Sequence, residues 1–269
     1  MEIPKTTEWD AYRLDTRVPQ IAYGHWLKFF YGYYDKAEAF LMSLIKARGC
    51  RTVLEVGAGA NPTLSGSQIK ALGLRYITSD VDQAELDKAA QPGEARCVDL
   101  EGDDLPADIV GNCDLVFSKM VNEHVRDGEK YHTNIRHLLS PNGLAVHLSA
   151  SLFSLPFVVN RLVPDSVSDM LLRFFAPRDD QHGKFRAYYS WCRGPTRGMI
   201  SRFQRLGYDV VFYGGYFGHQ YYAGRMSLLD RLEQAKARAL VRHPLPQLCS
   251  YLVLILRRQD ATQGPQSGL

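Results

Sequence analysis

The chain has 269 residues, 45% of them hydrophobic and 23% charged, with a formal net charge of +3 at pH 7. That length buries one large core, on the order of 70 to 75% of the unfolded surface. The charge is too small for a nucleic-acid groove, and no dense basic block precedes the short pair Arg257 and Arg258. The first ten residues contain no apolar leader, so a cytoplasmic location is expected, and five scattered cysteines without a Cys-x-x-Cys pair indicate neither a disulfide framework nor a zinc site.

Residues 1–33 are dense in aromatics, among them Trp9, Tyr12, Tyr23, Trp26 and Phe29. They read either as a flap over a ligand or as ordinary packing. From Tyr34 to Ala47, apolar side chains at Ala37, Phe40, Leu41, Leu44 and Ile45 recur at three and four residues, the spacing of an amphipathic helix, which Gly49 ends. A strand over 51–56 follows and runs into Gly57-Ala-Gly-Ala-Asn-Pro62. Gly57 and Gly59 lack a Cβ, so the turn admits positive φ and close approach of a ligand. Asn61 and Pro62 read as the cap and first position of a helix, whose exposed end favours an anion. Glu55 repels a pyrophosphate there and welcomes an ammonium group, so a zwitterionic amino acid moiety suits both. The dinucleotide fingerprint needs a third glycine at position 62, where proline stands.

Residues 64–72 fit a helix closed by Gly73, and 74–81 a strand ending in Asp80-Val-Asp82. An acid about twenty positions past a glycine turn suits a ribose diol, although either aspartate can equally cap the next helix, over 83–90. A third strand over 95–100 carries Asp99, and a fourth over 113–120 ends in Ser118-Lys-Met120. Then come Val121-Asn-Glu-His-Val125, a helix through Leu139, a turn at 140–143 and a fifth strand over 144–150. Strands over 208–213 and 250–256 enclose a helix over 227–241 and a turn at 243–246. Strands alternating with helices imply parallel β-α-β units with the ligand outside the strands' carboxyl ends. Glu55, Asp80, Asp99 and Ser118 to Met120 all fall at that edge.

The connection over 151–206 is longer than one helix requires. Its apolar stretches are broken by Pro156, Pro164 and Pro177, so no run is long enough to span a bilayer. A lid, a subunit interface and a peripheral membrane contact through 151–176 are the alternatives. The aromatic segments 184–195 and 213–222, with Tyr188, Trp191 and Tyr221, suit either an acceptor pocket or ordinary packing.

The ordered set of motifs resembles the class I S-adenosylmethionine-dependent methyltransferases. Val53-Leu-Glu-Val-Gly-Ala-Gly59 is similar to the family's first motif, Ile77-Thr-Ser-Asp80 to its second, and Cys97-Val-Asp99 with Leu105-Pro106 to its third. Asp114-Leu-Val-Phe-Ser118 with Glu123-His-Val125 resembles the fourth, and Leu138-Leu-Ser-Pro-Asn-Gly143 the fifth. The resemblance implies a Rossmann-like, mostly parallel seven-stranded sheet with helices on both faces and an antiparallel terminal strand. Residues 34–150 would form the core that binds S-adenosyl-L-methionine, 207–258 would complete the sheet, and 259–269 would be a flexible tail. It places the methionyl moiety near Glu55, Gly57 and Gly59, the ribose at Asp80, the adenine near Asp99 and Leu100, and Ser118 and Lys119 beside the sulfonium. Asn61 takes the place of the family's third glycine.

Methyl transfer to a small-molecule or glycan-like acceptor, on oxygen, is the expected reaction. An Asn-Pro-Pro-aromatic tetrad suited to exocyclic nitrogens is absent, as is a zinc or thiol cluster suited to sulfur. An alcohol acceptor needs a general base, for which His124 is the first choice, unless it only packs or caps the following helix. Glu123, His182 and His219 are alternatives. A nicotinamide-dependent oxidoreductase and a methyltransferase-like binding subunit without turnover are competing readings, and an oligomer is left open.

Overall fold

The computed structural model describes residues 20–25, 36–90, 93–152, 186–220, 222–224 and 226–259. The expectations for most of the N-terminal aromatic segment, for the apolar stretches of 153–185, for His182, for Tyr221 and for the tail beyond 259 lie outside the described residues.

One sheet organises the chain. In sequence order its strands are β1 (Gln20–His25), β2 (Thr52–Val56), β3 (Arg75–Asp80), β4 (Glu94–Cys97), β5 (Cys113–Lys119), β6 (Leu139–Ala150), β7 (Tyr208–Phe217) and β8 (Tyr251–Arg258). In space they run β1-β7-β8-β6-β5-β2-β3-β4. Pairing is parallel throughout, except that β8 lies antiparallel between β6 and β7. The helices are α1 (Ala37–Arg48), α2 (Gly66–Leu72), α3 (Gln83–Asp87), α4 (Gly128–Leu138), α5 (Arg197–Arg205) and α6 (Ser227–Arg242), with short 3-10 turns at Asn122–His124 and Pro246–Leu248.

The central strands are buried on both faces, which is why they read as nearly continuous apolar runs. Alternate side chains of a strand serve opposite layers. Val53, Leu115, Phe117 and Val146 join Phe40, Leu41, Leu44 and Ile45 of α1 in one core. Leu54, Val116 and Ala145 join Leu138 of α4, Phe203 of α5 and Leu240 of α6 in the other.

Three local features differ from expectation. The sheet has an eighth strand, β1, which pairs with β7 from Gln20↔Phe212 to His25↔Phe217. Gly24 lets it in, because a Cβ there would stand 2.9 Å from the Tyr216 ring. Helix α2 starts at Gly66 rather than at Pro62, because Ser65 and Gln68 form a reciprocal capping box. Asn61 instead closes a turn through its N–H to the Ala58 carbonyl, 3.0 Å away. The glycine turn therefore does not lead directly into a helix N-terminus, and no helix end at Pro62 faces an anion there. Finally, α5 arises inside the long connection, with the Thr196 hydroxyl accepting from Met199 N–H.

Candidate cofactor site

β2 lies between β3 and β5, where the strand order reverses, and the turn after it occupies the resulting crevice. Gly57 and Gly59 have φ of 68° and 47°. A Cβ on Gly57 would stand 2.4 Å from Val121 Cγ2, and one on Gly59 would stand 3.5 Å from Asp80 Oδ2. The turn thus sits between the carboxyl end of β3 and the segment following β5. Ala58 N–H, donating to Ser79 O at 3.0 Å, ties it to β3.

Glu55 is buried and serves the loop itself. Its Oε2 accepts from Thr63 N–H at 2.9 Å and from the Tyr76 hydroxyl, and its Oε1 accepts from the Thr63 hydroxyl at 2.5 Å. In place of a face open to an ammonium group, the carboxylate holds residues 57–63 against the sheet. Burial, followed by the Glu55 charge, pushes the Tyr76 hydroxyl far above its ordinary range, so it remains a donor.

Of the two aspartates after β3, Asp82 caps α3 by accepting from Ala84 N–H at 2.8 Å. Asp80 Oδ1 accepts from Asp82 N–H at 3.1 Å, and Oδ2 is the oxygen beside Gly59. Asp99 is exposed just past β4, with Oδ1 accepting from Glu101 N–H at 2.8 Å. Leu100 is buried, and the Asn134 side chain fixes its carbonyl at 2.9 Å. Gly57, Gly59 and Asp80 therefore meet in one place, with Asp99 at the neighbouring strand end.

Ser118 does not face the crevice. It is directly opposite His147 across the β5–β6 pair, where its hydroxyl lies 2.8 Å from His147 Nδ1 and donates to Asn122 Oδ1 at 3.0 Å. The strand pleat turns it into the core, which corrects its placement beside the sulfonium. Lys119 is the last residue of β5 and partly buried.

Beyond β5 the 3-10 turn receives the chain returning from the long connection. The Glu123 carbonyl accepts from Tyr188 N–H at 2.8 Å and Tyr189 N–H at 2.9 Å, and His124 Nδ1 lies 3.2 Å from Arg186 O. Met120, Tyr189 and Trp191 all have positive φ, of 55°, 53° and 59°. Left-handed conformations of non-glycine residues cost on the order of 1 to 3 kcal/mol each and gather at functional sites. The Arg126 guanidinium lies 5.2 Å from the Tyr188 ring centroid and donates to its hydroxyl at 3.2 Å. The returning chain thus sets Tyr188 beside the His124 turn, whereas the Trp191 ring packs against His132 and Phe203.

Beneath it lies a buried polar layer that the sequence does not announce. The His132 and His147 rings are 5.1 Å apart, and Trp191 lies 5.9 Å from His132. Burial pushes His147 down to about 3, while burial and then His147 depress His132, so both are neutral. Burial also pushes the Glu123 carboxyl up to about 8. The available signal was a histidine inside each of two otherwise core-forming elements, α4 and β6. His219, by contrast, lies just past β7, where its Nε2 is 3.5 Å from Glu233 of α6.

A family model described as a methyltransferase domain matches residues 54–147. An uncharacterized methyltransferase of Mycobacterium sp. strain KMS is 37% identical over 112 residues, 40% of this chain and 42% of that relative. The chain thus spans about two fifths of the length of the curated relatives it matches. Among solved structures, an S-adenosylmethionine-dependent methyltransferase from Clostridium acetobutylicum ATCC 824 superposes with TM-score 0.53 at 11% identity, covering 84% of this chain and 92% of its own. The citrinin polyketide synthase CMeT domain gives TM-score 0.51 at 17% identity, covering 85% of this chain and 52% of its own. These two likenesses are of fold. The sheet order, the glycine turn beside Asp80 and the matched model agree: residues 54–147 match a methyltransferase domain, and the chain shares its fold with S-adenosylmethionine-dependent methyltransferases.

Proposed function

We propose that this chain transfers a methyl group from S-adenosyl-L-methionine to an oxygen of a small-molecule or glycan-like acceptor. The observation that carries the cofactor half is that a Cβ on Gly59 would stand 3.5 Å from Asp80 Oδ2, so the bare turn and the carboxylate share one space. A side chain at Gly59 would fill the space beside that acceptor oxygen, and the positive φ of both glycines leaves the backbone bare to a ligand. The donor set fits a nucleoside attached to an amino acid tail: bare turn backbone for the tail, Asp80 for the ribose hydroxyls and Asp99 for the adenine side. Asn61, exposed at the turn's outer end, and Lys119 complete the rim.

The bound sulfonium supplies an already activated methyl group, so the protein chiefly has to align two reactants and exclude water. Arg186 O and His124 Nδ1 lie within hydrogen-bond reach. A carbonyl only accepts, so Nδ1 carries the proton in the neutral ring and Nε2 is the basic nitrogen. That tautomer suits removal of a hydroxyl proton from the acceptor. Tyr188 forms the wall on which a ring-containing acceptor would lie.

The test pairs turnover with binding. His124→Ala is expected to lower kcat by about 10²- to 10⁴-fold while leaving affinity for S-adenosylhomocysteine intact. Undiminished kcat removes His124 from proton transfer. Labelled methyl donor incubated with cell extract is expected to mark a hydroxyl-bearing metabolite or glycan; label on nitrogen or carbon overturns the choice of oxygen.

A further inference from the structure

Among the described residues, six of the nine exposed large apolar side chains fall between Leu228 and Leu248. Scattered singly they would mean little, but gathered in one short stretch of chain they call for a partner. Helix α6 buries Glu233, Ala237 and Leu240. At 100° per residue, Leu228, Leu232, Ala235 and Ala239 project from the opposite side, where Leu228 and Leu232 are 69% and 58% exposed. Arg231, Arg238 and Arg242 run along one flank of that stripe and Lys236 along the other, all exposed. Glu233 is buried and pairs with Lys236 at 2.6 Å, and Asp230 is half-buried, so the helix's acids leave the arginine flank unbalanced outward. Past the end of the helix, Leu245 and Leu248 are exposed as well.

Its place in the fold gives this face a direction. Tyr216 of β7 pairs with Tyr251 of β8, so the chain from 218 to 250 leaves and returns at the carboxyl edge of the parallel strands. The glycine turn, Asp80 and the His124 turn occupy the same edge.

We propose that the outward face of α6, together with the Leu245 to Leu248 turn, docks on an anionic phospholipid bilayer. The leucines enter the headgroup boundary and the arginines lie among lipid phosphates, the arrangement of an interfacial amphipathic helix. A second copy of the chain is disfavoured, because facing α6 helices would set arginine rows against each other across a stripe of two leucines and two alanines. The chain that carries α6 leaves and returns at that edge, so docking brings the acceptor side near the membrane.

Flotation of the full chain with phosphatidylglycerol–phosphatidylcholine vesicles tests this, with phosphatidylcholine vesicles as the comparison. The expected result is co-flotation with the anionic vesicles, about tenfold weaker with phosphatidylcholine alone and weakened by salt. Leu228→Asp with Leu232→Asp, and separately Arg231→Glu with Arg242→Glu, are each expected to reduce it about tenfold. They should do so without changing Tm or S-adenosylhomocysteine affinity, a readout that keeps this result separate from the proposed reaction. Failure to float with anionic vesicles, or unchanged flotation of both variants, overturns the proposal. A fall in Tm for the leucine pair shows the stripe to be covered within the chain, and a dimer dissolved by Leu232→Asp shows a second copy to be the occupant; either overturns it too.

Discussion

Gly57 and Asp80 make opposite demands on the same crevice, one for absence of a side chain and one for a charge. A methyl group at position 57 would stand 2.4 Å from Val121 Cγ2 on a backbone with φ of 68°. Gly57→Ala is therefore expected to destabilise the chain by about 2 to 4 kcal/mol, left-handed strain and overpacking together, measured by denaturant unfolding. Asp80→Ala leaves the fold intact and is expected to weaken S-adenosylhomocysteine binding by about 1 to 3 kcal/mol, the range for a hydrogen bond to a charged group. The buried ionisable groups set a pH signature. His132 and His147 are depressed below 6.5, so the unfolded chain takes up protons that the folded chain refuses. Their contribution is complete above pH 6.5 and is lost as pH falls, for His147 through the interval down to about 3. Glu123 acts in the other direction. Raised from 4.5 to about 8, it stabilises the folded state below pH 4.5, and that contribution is lost as pH rises through the interval to about 8. From these three groups, stability peaks near pH 6.5. Glu123→Gln is expected to abolish the decline between pH 6.5 and 8 in unfolding titrations while preserving the acid limb.

At the scale of elements, the helix after the glycine turn shows how local signals compete. Asn61-Pro62 is a strong start signal, yet Glu55 captures both the N–H and the hydroxyl of Thr63, keeping the chain out of helix until Ser65 can cap it. Ser65→Ala is expected to cost about 1 kcal/mol, whereas Asn61→Ala should leave stability unchanged; paired unfolding curves distinguish the two positions. The strands and the helices α1, α3, α4 and α6 were legible because their apolar spacing, capping residues and glycine stops agree. Ser118 was not, since a hydroxyl at a strand end suits a crevice or a core equally well, and only the pairing with His147 decides between them. β1 was hidden among aromatics that fit a flap, because its membership depends on Gly24 yielding to the Tyr216 ring, a contact far apart in sequence.

For the whole molecule, the crevice was readable before its walls were. Alternating strands and helices imply the parallel sheet, and the reversal beside β2 puts the ligand at the ends of β2, β3 and β5. The acceptor side depends instead on residues 186–192 folding back onto the turn after β5, a return that no spacing rule anticipates. The exposed face of α6 was likewise invisible in a pattern that shows only that the helix is amphipathic. Titration calorimetry of the full chain with S-adenosylhomocysteine and with NAD tests the cofactor assignment most directly. Saturable heat with the first, diminished in Asp80→Ala, and none with the second is the expected result; heat with NAD alone, or S-adenosylhomocysteine affinity indifferent to Asp80, would contradict it.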